Sequence, residues 1–341
     1  MSWFTFSFDD FAFSFLSVLL EGVPFLLLGA LISGLVDVFV SAERMQRLLP
    51  KNNAAAIVVS GLLGLIFPMC ECGSVIVIRR FLRKGLPLSS AVSYMLAAPI
   101  VSPLVALSTF AAFQGQSPWI MTSLRLSIGY LIAVGVGFIV HRLPAAAVLR
   151  ADLASPAASR KRASLSISSA PDEQTPPQDF ATIAAAASLP KKLLLAVQSA
   201  TADFLDVAFY LIISTAAASV FNTAVNQEII LPLATNPLLA ILSMMTLAAL
   251  LAVCSTTDAF IAASFSTFPF ASKLAFLIFG PVFDLKLFWL YGILFRRRFV
   301  ALLAIGLFIV IALVSWRIGS LNLDESRPLA APAIAPSLSP P

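Results

Sequence analysis

The chain has 341 residues, of which 59% are hydrophobic and only 11% are charged, and its mean hydropathy is +0.95. An ordinary soluble domain carries about 25% charged residues, so this composition excludes a soluble globular protein. The net charge of +5 comes from Lys and Arg residues between apolar runs, a placement typical of membrane topology signals. We therefore expect a protein that is embedded in the lipid bilayer and does not bind nucleic acid.

Apolar runs of membrane-spanning character recur along the chain. In the first half they cover residues 11–40, 54–69, 86–113 and 119–140. In the second half they cover residues 193–221, 237–253, 270–295 and 299–316. Pro-rich, weakly hydrophobic sequence separates and follows them, so we predict a first transmembrane repeat (1–142), a disordered linker (143–192), a second repeat (193–318) and a disordered tail (319–341).

The two halves match at a constant offset of 182 residues without gaps. The matched pairs are Cys72 and Cys254, Pro50 and Pro232, Pro87 and Pro269, Ser90 and Ser272, Pro99 and Pro281, and Glu21 with Asp203. Several Pro and Cys matches in one register indicate an internal duplication, and repeats with interrupted apolar segments are typical of secondary transporters.

The loop charges predict that the two repeats have opposite orientations. The basic loop 41–53 and the basic segment 79–84 correspond to uncharged segments in the second half. Conversely, the uncharged loop 114–118 corresponds to the basic run Arg296–Arg298. Because the positive-inside rule puts the basic member of each pair in the cytoplasm, every pair changes sides between the halves.

Opposite orientations require an odd number of crossings per half. We therefore predict an all-α polytopic membrane protein with two inverted-topology repeats, each with three spanning helices and one re-entrant helical hairpin. The hairpins cover residues 54–84, entering from the cytoplasm, and 236–267, entering from outside. The alternative topology lets the hairpin arms cross fully, which gives eight or more spans.

The hairpin tips are the candidate site, because non-helical backbone at membrane depth survives only where protein or a wet cavity surrounds it. Cys70, Cys72 and Cys254 all lie on these tips. Thiolates prefer soft ions, so a soft, thiophilic solute is the natural ligand, although a buried free Cys is also a common packing residue. Pro99 and Pro281, which interrupt the third apolar run of each half, are further substrate-binding candidates.

Charged residues in the apolar segments are candidates for coupling transport to an ion gradient, because a charge at the bilayer centre costs about 2.5–3.5 kcal/mol on insertion scales. They are Glu71, Asp258, Asp284, Lys286, Glu21 and Asp203. We expect Glu71 and Asp258 in non-helical backbone, where they exchange a coupling proton or instead cap a half-helix. In the alternative interpretation, Asp284 and Lys286 pair with each other or lie at the membrane interface. Asp203 is then a helix-end residue that extends its charge out to the membrane interface.

Two long segments resemble a known family. PMCECGSVIVIRRFLRKGLPLSSAVSYMLAAPIVSPLVAL and CSTTDAFIAASFSTFPFASKLAFLIFGPVFDLK are similar to the two signatures of the predicted permeases that include organoarsenical efflux permeases. The resemblance covers both halves and implies a multi-pass permease of the bacterial inner membrane. Some members of this family export trivalent organoarsenicals, whose arsenic binds thiols.

We therefore predict a secondary transporter for a small solute. The candidate solutes are a thiophilic metalloid and an organoarsenical. The sequence predicts no enzymatic activity, no cofactor and no resident metal. Two alternatives stay open: a membrane thiol oxidoreductase that uses Cys70 and Cys72, and a soft-metal-handling protein without transport.

Overall fold

The computed structural model describes residues 8–39, 50, 52–66, 69–83, 85–150, 189–224 and 236–321. These residues are almost entirely helical. In the described part of the chain, strand-type pairing is limited to one antiparallel bridge between Leu149 and Phe295. The prediction of an all-helical polytopic membrane protein is confirmed at this level.

Six helices occupy the described residues of the first half, and a short 3₁₀ turn, Leu63–Leu65, extends the second of them. They are α1 (Phe8–Phe39), α2 (Asn53–Leu62), α3 (Glu71–Arg83), α4 (Leu88–Ala97), α5 (Pro103–Ala112) and α6 (Pro118–His141). One helical turn, Ala145–Val148, follows α6.

Six helices also occupy the part of the second half that the structure describes. They are α7 (Leu189–Ala224), α8 (Pro237–Leu251), α9 (Asp258–Ser264), α10 (Phe270–Val282), α11 (Leu285–Leu294) and α12 (Arg297–Ser320). The order of long and short helices repeats that of the first half, and α5 and α11 have the same length and lie 182 residues apart.

Within the described ranges, five helical segments are long and apolar enough to cross a membrane: Phe8–Leu35, Pro118–His141, Pro190–Val220, Phe270–Leu294 and Arg297–Ser320. The remaining predicted span, residues 86–113, is divided into α4 and α5. Ala98 stays in right-handed helical backbone and the N–H of Val101 bonds to the carbonyl of Ala97, so the break comes at Ser102, which is extended. Pro103 disfavours helical backbone at Ser102 and occupies the first turn of α5, where its missing N–H is not needed. The chain therefore breaks in mid-span.

The corresponding span of the second half breaks at Phe283 and Asp284, between α10 and α11. Asp284 is the N-cap of α11, and its carboxylate accepts a 2.6 Å hydrogen bond from the backbone N–H of Leu287. Pro281 lies near the end of α10, where few further helical bonds are lost.

Packing within one half is repeated in the other. Helices α2, α4 and α6 contact one another pairwise, and so do α8, α10 and α12. Between the halves, α1 lies along α7, α3 contacts α11, and α9 contacts α5. A Cβ on Gly34 of α1 would overlap the carbonyl oxygen of Ala196, so this glycine permits the close approach of α1 and α7.

Contacts near the C-terminal end of α6 locate both ends of the α2–α3 hairpin. A Cβ on Gly137 would lie 2.8 Å from Cγ2 of Ile57 and 3.2 Å from the carbonyl oxygen of Ser89. Ile57 belongs to the start of α2, and Ser89 follows the hairpin at the start of α4. The hairpin therefore begins and ends near the same end of α6.

Contacts at the N-terminal end of α6 involve the other hairpin, α8–α9. Gln116 donates a 3.5 Å hydrogen bond to the carbonyl of Ala263 in α9 and accepts a 2.9 Å bond from Nζ of Lys273 in α10. Pro237 and Pro269, which border this hairpin, line one cavity of about 280 Å³ together with Gly319.

The described ends of the predicted linker are structured. Val148 and Leu149 are buried, the backbone N–H groups of Arg150 and Arg296 bond to the carbonyls of Leu294 and Val148, and α7 already begins at Leu189. Residues 151–188 of the linker and 322–341 of the tail lie outside the described residues.

Candidate functional site

The first hairpin tip brings Cys70, Glu71 and Cys72 to the start of α3. Cys70 precedes the helix, and its sulfur accepts a 3.3 Å hydrogen bond from the backbone N–H of Gly73. Glu71 is the first residue of α3. This corrects the expectation that Glu71 lies in non-helical backbone: α3 begins earlier because Ser74 N–H already bonds the carbonyl of Cys70.

The second tip is the turn between α8 and α9. Ala252 ends α8 in the left-handed conformation (φ 49°), which is costly for a residue with a Cβ and is more often taken by Gly. The turn continues through Cys254 to Asp258, the first residue of α9. The expected non-helical backbone at Asp258 is therefore also corrected to a helix start.

The two tips meet around one narrow cavity that contains all three cysteines. Its volume is about 10 Å³, roughly the room for one water molecule. The lining residues are Val18, Gly22, Cys70, Glu71, Cys72, Cys254 and Lys286. The cavity thus draws residues from α1, from both tips and from α11.

All three cysteines are buried free thiols. A side-chain hydrogen bond joins Cys72 to Cys70, and Oγ1 of Thr256 lies 3.6 Å from the sulfur of Cys254. Within the described part of the chain, no group of three or more His, Cys, Asp or Glu side chains is arranged to hold a metal ion.

A buried ion pair joins the two halves beside the cysteines. Nζ of Lys286 donates a 2.9 Å hydrogen bond to Oε1 of Glu71, and it lies 3.4 Å from the carbonyl oxygen of Ala252 and 3.8 Å from Oδ2 of Asp284. Oε2 of Glu71 accepts a 3.4 Å bond from Oγ of Ser255. The predicted alternative pairing of Asp284 with Lys286 is thus the longer of two contacts, and Glu71 is the closer partner.

A second buried pair involves Arg125 of α6, whose side chain is 0% exposed. Its Nη2 donates to Oδ2 of Asp258 at 2.7 Å and to the carbonyl of Ser255 at 3.0 Å, and its Nη1 donates to Oγ1 of Thr109 at 2.7 Å. Arg125 of the first half therefore forms an ion pair with Asp258 of the second tip.

A third pair fastens α3 to α7. Arg80 donates from Nε to Oδ2 and from Nη2 to Oδ1 of Asp203 at 2.8 and 2.9 Å, and Ser33 of α1 donates to the same carboxylate at 2.9 Å. The alternative in which Asp203 extends to the interface is wrong, because a bidentate Arg80 holds the carboxylate inside the protein.

The structure brings only part of the predicted set together. Cys70, Cys72, Cys254, Glu71 and Lys286 share the cavity, and Asp284 lies behind Lys286. Pro99 and Pro281 are buried at the helix breaks and do not line the cavity, and Asp203 belongs to a separate pair with Arg80. Glu21 lies within α1, but its side chain is outside the described residues.

Sequence reasoning missed Arg125 and the role of Arg80. Arg125 is the single charged residue inside the apolar run 119–140, and a lone charge in a span is a detectable signal. Arg80 was read only as a topology signal, because four basic residues cluster in segment 79–84.

Comparison with known proteins covers nearly the whole chain. The family described as "Predicted permease" matches residues 7–319. The "UPF0718 protein YcgR" of Bacillus subtilis (strain 168) is 34% identical over 299 residues, which are 87% of this chain and 92% of that protein. No solved structure matches the chain significantly.

A second relative comes from Streptococcus mutans serotype c and bears the name "Putative two-component membrane permease complex subunit". It is 33% identical over 287 residues, which are 84% of this chain and 87% of that protein.

Proposed function

The chain belongs to the predicted permease family and is a multi-pass bacterial membrane protein, and we propose that it moves a small thiophilic solute across the cytoplasmic membrane. The observation that carries this proposal is the meeting of the two tips, where cysteines from both halves line one cavity. A trivalent organoarsenical is the solute that this set of thiols suits best.

The chemistry of capture is a ligand exchange at arsenic. Each As–OH group of a trivalent organoarsenical reacts with one S–H group to give an As–S bond and one water molecule. Two thiols can therefore hold one R–As centre without oxidation or reduction. Because Cys72 and Cys254 come from different halves, a bound solute would join the halves through its own bonds.

We further propose that the repeats have inverted topology with re-entrant hairpins. The positions of the hairpin ends support this: residues bordering α2–α3 contact the region of Gly137, whereas residues bordering α8–α9 contact Gln116, before the other end of α6. At 1.5 Å per residue, the 24 residues of α6 span about 36 Å, enough to separate two membrane faces.

In this arrangement the two tips would meet from opposite sides of the bilayer. The contacts between the halves are reciprocal: α3 contacts α11, and their repeat equivalents α9 and α5 contact each other. Reciprocal contacts of this kind fit two repeats related by a pseudo-two-fold axis. Rocking of one half against the other would open the cavity to one face at a time.

Flux measurements in proteoliposomes test the function. With phenylarsine oxide as the probe, liposomes containing the wild-type protein should exchange it faster than empty liposomes, and a triple Cys→Ser variant should match the empty ones. Equal flux rates for the wild type and the triple variant would show that the thiols do not bind the transported solute. Disulfide turnover in the wild type without flux would favour the oxidoreductase alternative.

A further inference from the structure

We infer that the buried charges around the tips hold one exchangeable proton, that this proton sits on Asp284, and that it is the coupling proton of the permease. This inference rests on the proposed transport function. Of the six coupling candidates, it assigns the proton to Asp284. Glu71, Asp258, Lys286 and Asp203 serve as ion-pair partners instead.

The first step is a count of charges. Among the side chains that the structure describes, two bases, Arg125 and Lys286, and three acids, Glu71, Asp258 and Asp284, form one connected network, and each is at most 5% exposed. Ser255 links its two parts, because its carbonyl accepts from Arg125 while its hydroxyl donates to Glu71. Fully ionised, the network would carry a net charge of −1.

An uncompensated charge in a protein interior within the membrane is strongly unfavourable, and such groups neutralise instead. One proton shared among the three acids makes the network neutral. A metal cation beside these acids would be repelled by the ammonium of Lys286, which lies 2.9 Å from Glu71 and 3.8 Å from Asp284. A proton on one carboxylate meets no such repulsion, because it leaves a neutral acid.

The second step is the choice of acid. Asp258 is bound to Arg125 at 2.7 Å, and Glu71 is bound to Lys286 at 2.9 Å. Asp258 and Asp284 each have one buried oxygen without a hydrogen-bond partner among the described residues, but Asp284 has only the longer 3.8 Å contact with a base, Lys286. Asp284 is therefore the acid whose negative charge is least compensated.

The helix cap does not oppose this choice. The Asp284 oxygen that caps α11 is Oδ1, which accepts from the backbone N–H of Leu287. Protonation at Oδ2 leaves that bond in place, because the oxygen of a neutral acid also accepts. The positive end of α11 favours an ionised Asp284, but the effect of a helix end is smaller than that of a missing counter-ion.

The surroundings of Asp284 connect it to the solute cavity. Among the described side chains, the titratable groups that face it or its neighbour Lys286 are Glu71 and Cys72 of the first tip, Cys254 of the second tip, and Tyr291 of its own helix. Lys286 lies between Asp284 and the cysteines. A shift of Lys286 from Glu71 toward Asp284 would release the proton and change the charge beside the thiols in one movement.

Infrared spectroscopy of the purified full-length protein tests the proton site without any solute. At neutral pH the wild type should show the C=O stretching band of a protonated, buried carboxylic acid. The band should be lost in Asp284→Asn, which keeps the helix cap because Asn caps as well as Asp. It should be retained at the wild-type frequency in Arg125→Met/Asp258→Asn, which removes one base and one acid and so leaves the net charge at −1. Ser102→Ala, at the repeat-related N-cap of α5, should also keep the band.

A band that persists unchanged in Asp284→Asn would overturn the assignment. A shifted or missing band in Arg125→Met/Asp258→Asn would place the wild-type proton on Asp258 and overturn it equally. Should Asp284→Asn fail to fold, Asp284→Ser serves the same purpose, since Ser is also a good N-cap without a titratable group.

Coupling is tested separately with phenylarsine oxide in proteoliposomes. An imposed pH gradient should change the wild-type flux several-fold and leave Asp284→Asn flux unchanged. A full gradient response in Asp284→Asn would overturn the coupling role. A wild type that shows the infrared band but moves no phenylarsine oxide would instead contradict the solute assignment of the proposed function, with the proton site intact.

Discussion

The ion pairs Lys286–Glu71, Arg125–Asp258 and Arg80–Asp203 each join residues from different halves of the chain, and their repeat equivalents are mostly apolar. Glu71 corresponds to Val253, Asp258 to Ile76, and Lys286 to Leu104 at the offset of 182 residues. In these pairs each half therefore supplies a charge that the other half neutralises. Because the charged positions differ between the halves, these ion pairs form between the halves and depend on where the two hairpin tips lie.

Arg125 gives a direct residue-scale prediction. Arg125→Met leaves Asp258 buried without its partner, so the free energy of unfolding should fall by about 3–5 kcal/mol. Denaturant titration of the protein in detergent micelles measures it. The double variant Arg125→Met/Asp258→Leu removes both charges and should cost less than Arg125→Met alone. Additive losses in the double variant would contradict the ion-pair account.

At the scale of elements, the apolar runs predicted the helices well. The run 11–40 became Phe8–Phe39, and the Pro residues near 99–103 correctly predicted a break in the third run. These features are local, because apolar length and Pro chemistry act within a few residues. The starts of α3 and α9 at Glu71 and Asp258 differ from the expected non-helical backbone and agree with the alternative that placed these carboxylates at half-helix N-termini.

The partners of the charged residues could not be predicted in the same way. Glu71 and Lys286 are 215 residues apart, and Arg125 and Asp258 are 133 apart. Their pairing depends on how α3, α6, α9 and α11 pack, which no local pattern specifies. The pairing of the cysteine tips was predictable only through the internal duplication.

The contact between α1 and α7 yields an element-scale prediction. Gly34→Ala places a methyl group against the backbone of Ala196 and should destabilise the protein by about 1–3 kcal/mol. Gly306 of α12 has open space where its Cβ would lie, so Gly306→Ala is the matched control. It should be neutral or stabilising by up to about 1 kcal/mol. Equal effects of the two substitutions would mean that α1 and α7 are not closely packed.

At the scale of the whole molecule, the topology can be tested with single cysteines in a Cys-free background. Gln114 and Ser266 should react with a membrane-impermeant thiol reagent from one face, and Asn52 and Arg150 from the other. These exposed positions border the two hairpins and the two ends of α6. Labelling of Asn52 and Ser266 from the same face would exclude inverted repeats.

The central claim is that one solute engages cysteines from both halves at once. The most direct measurement is the initial rate of phenylarsine oxide flux for wild type, Cys72→Ser, Cys254→Ser and the double variant, at equal protein content in proteoliposomes. Each single variant should lose at least about tenfold in rate, and the double variant should lose no more, because one missing thiol already breaks the shared site. Independent, multiplying losses, or single variants with the wild-type rate, would contradict a site shared between the two tips.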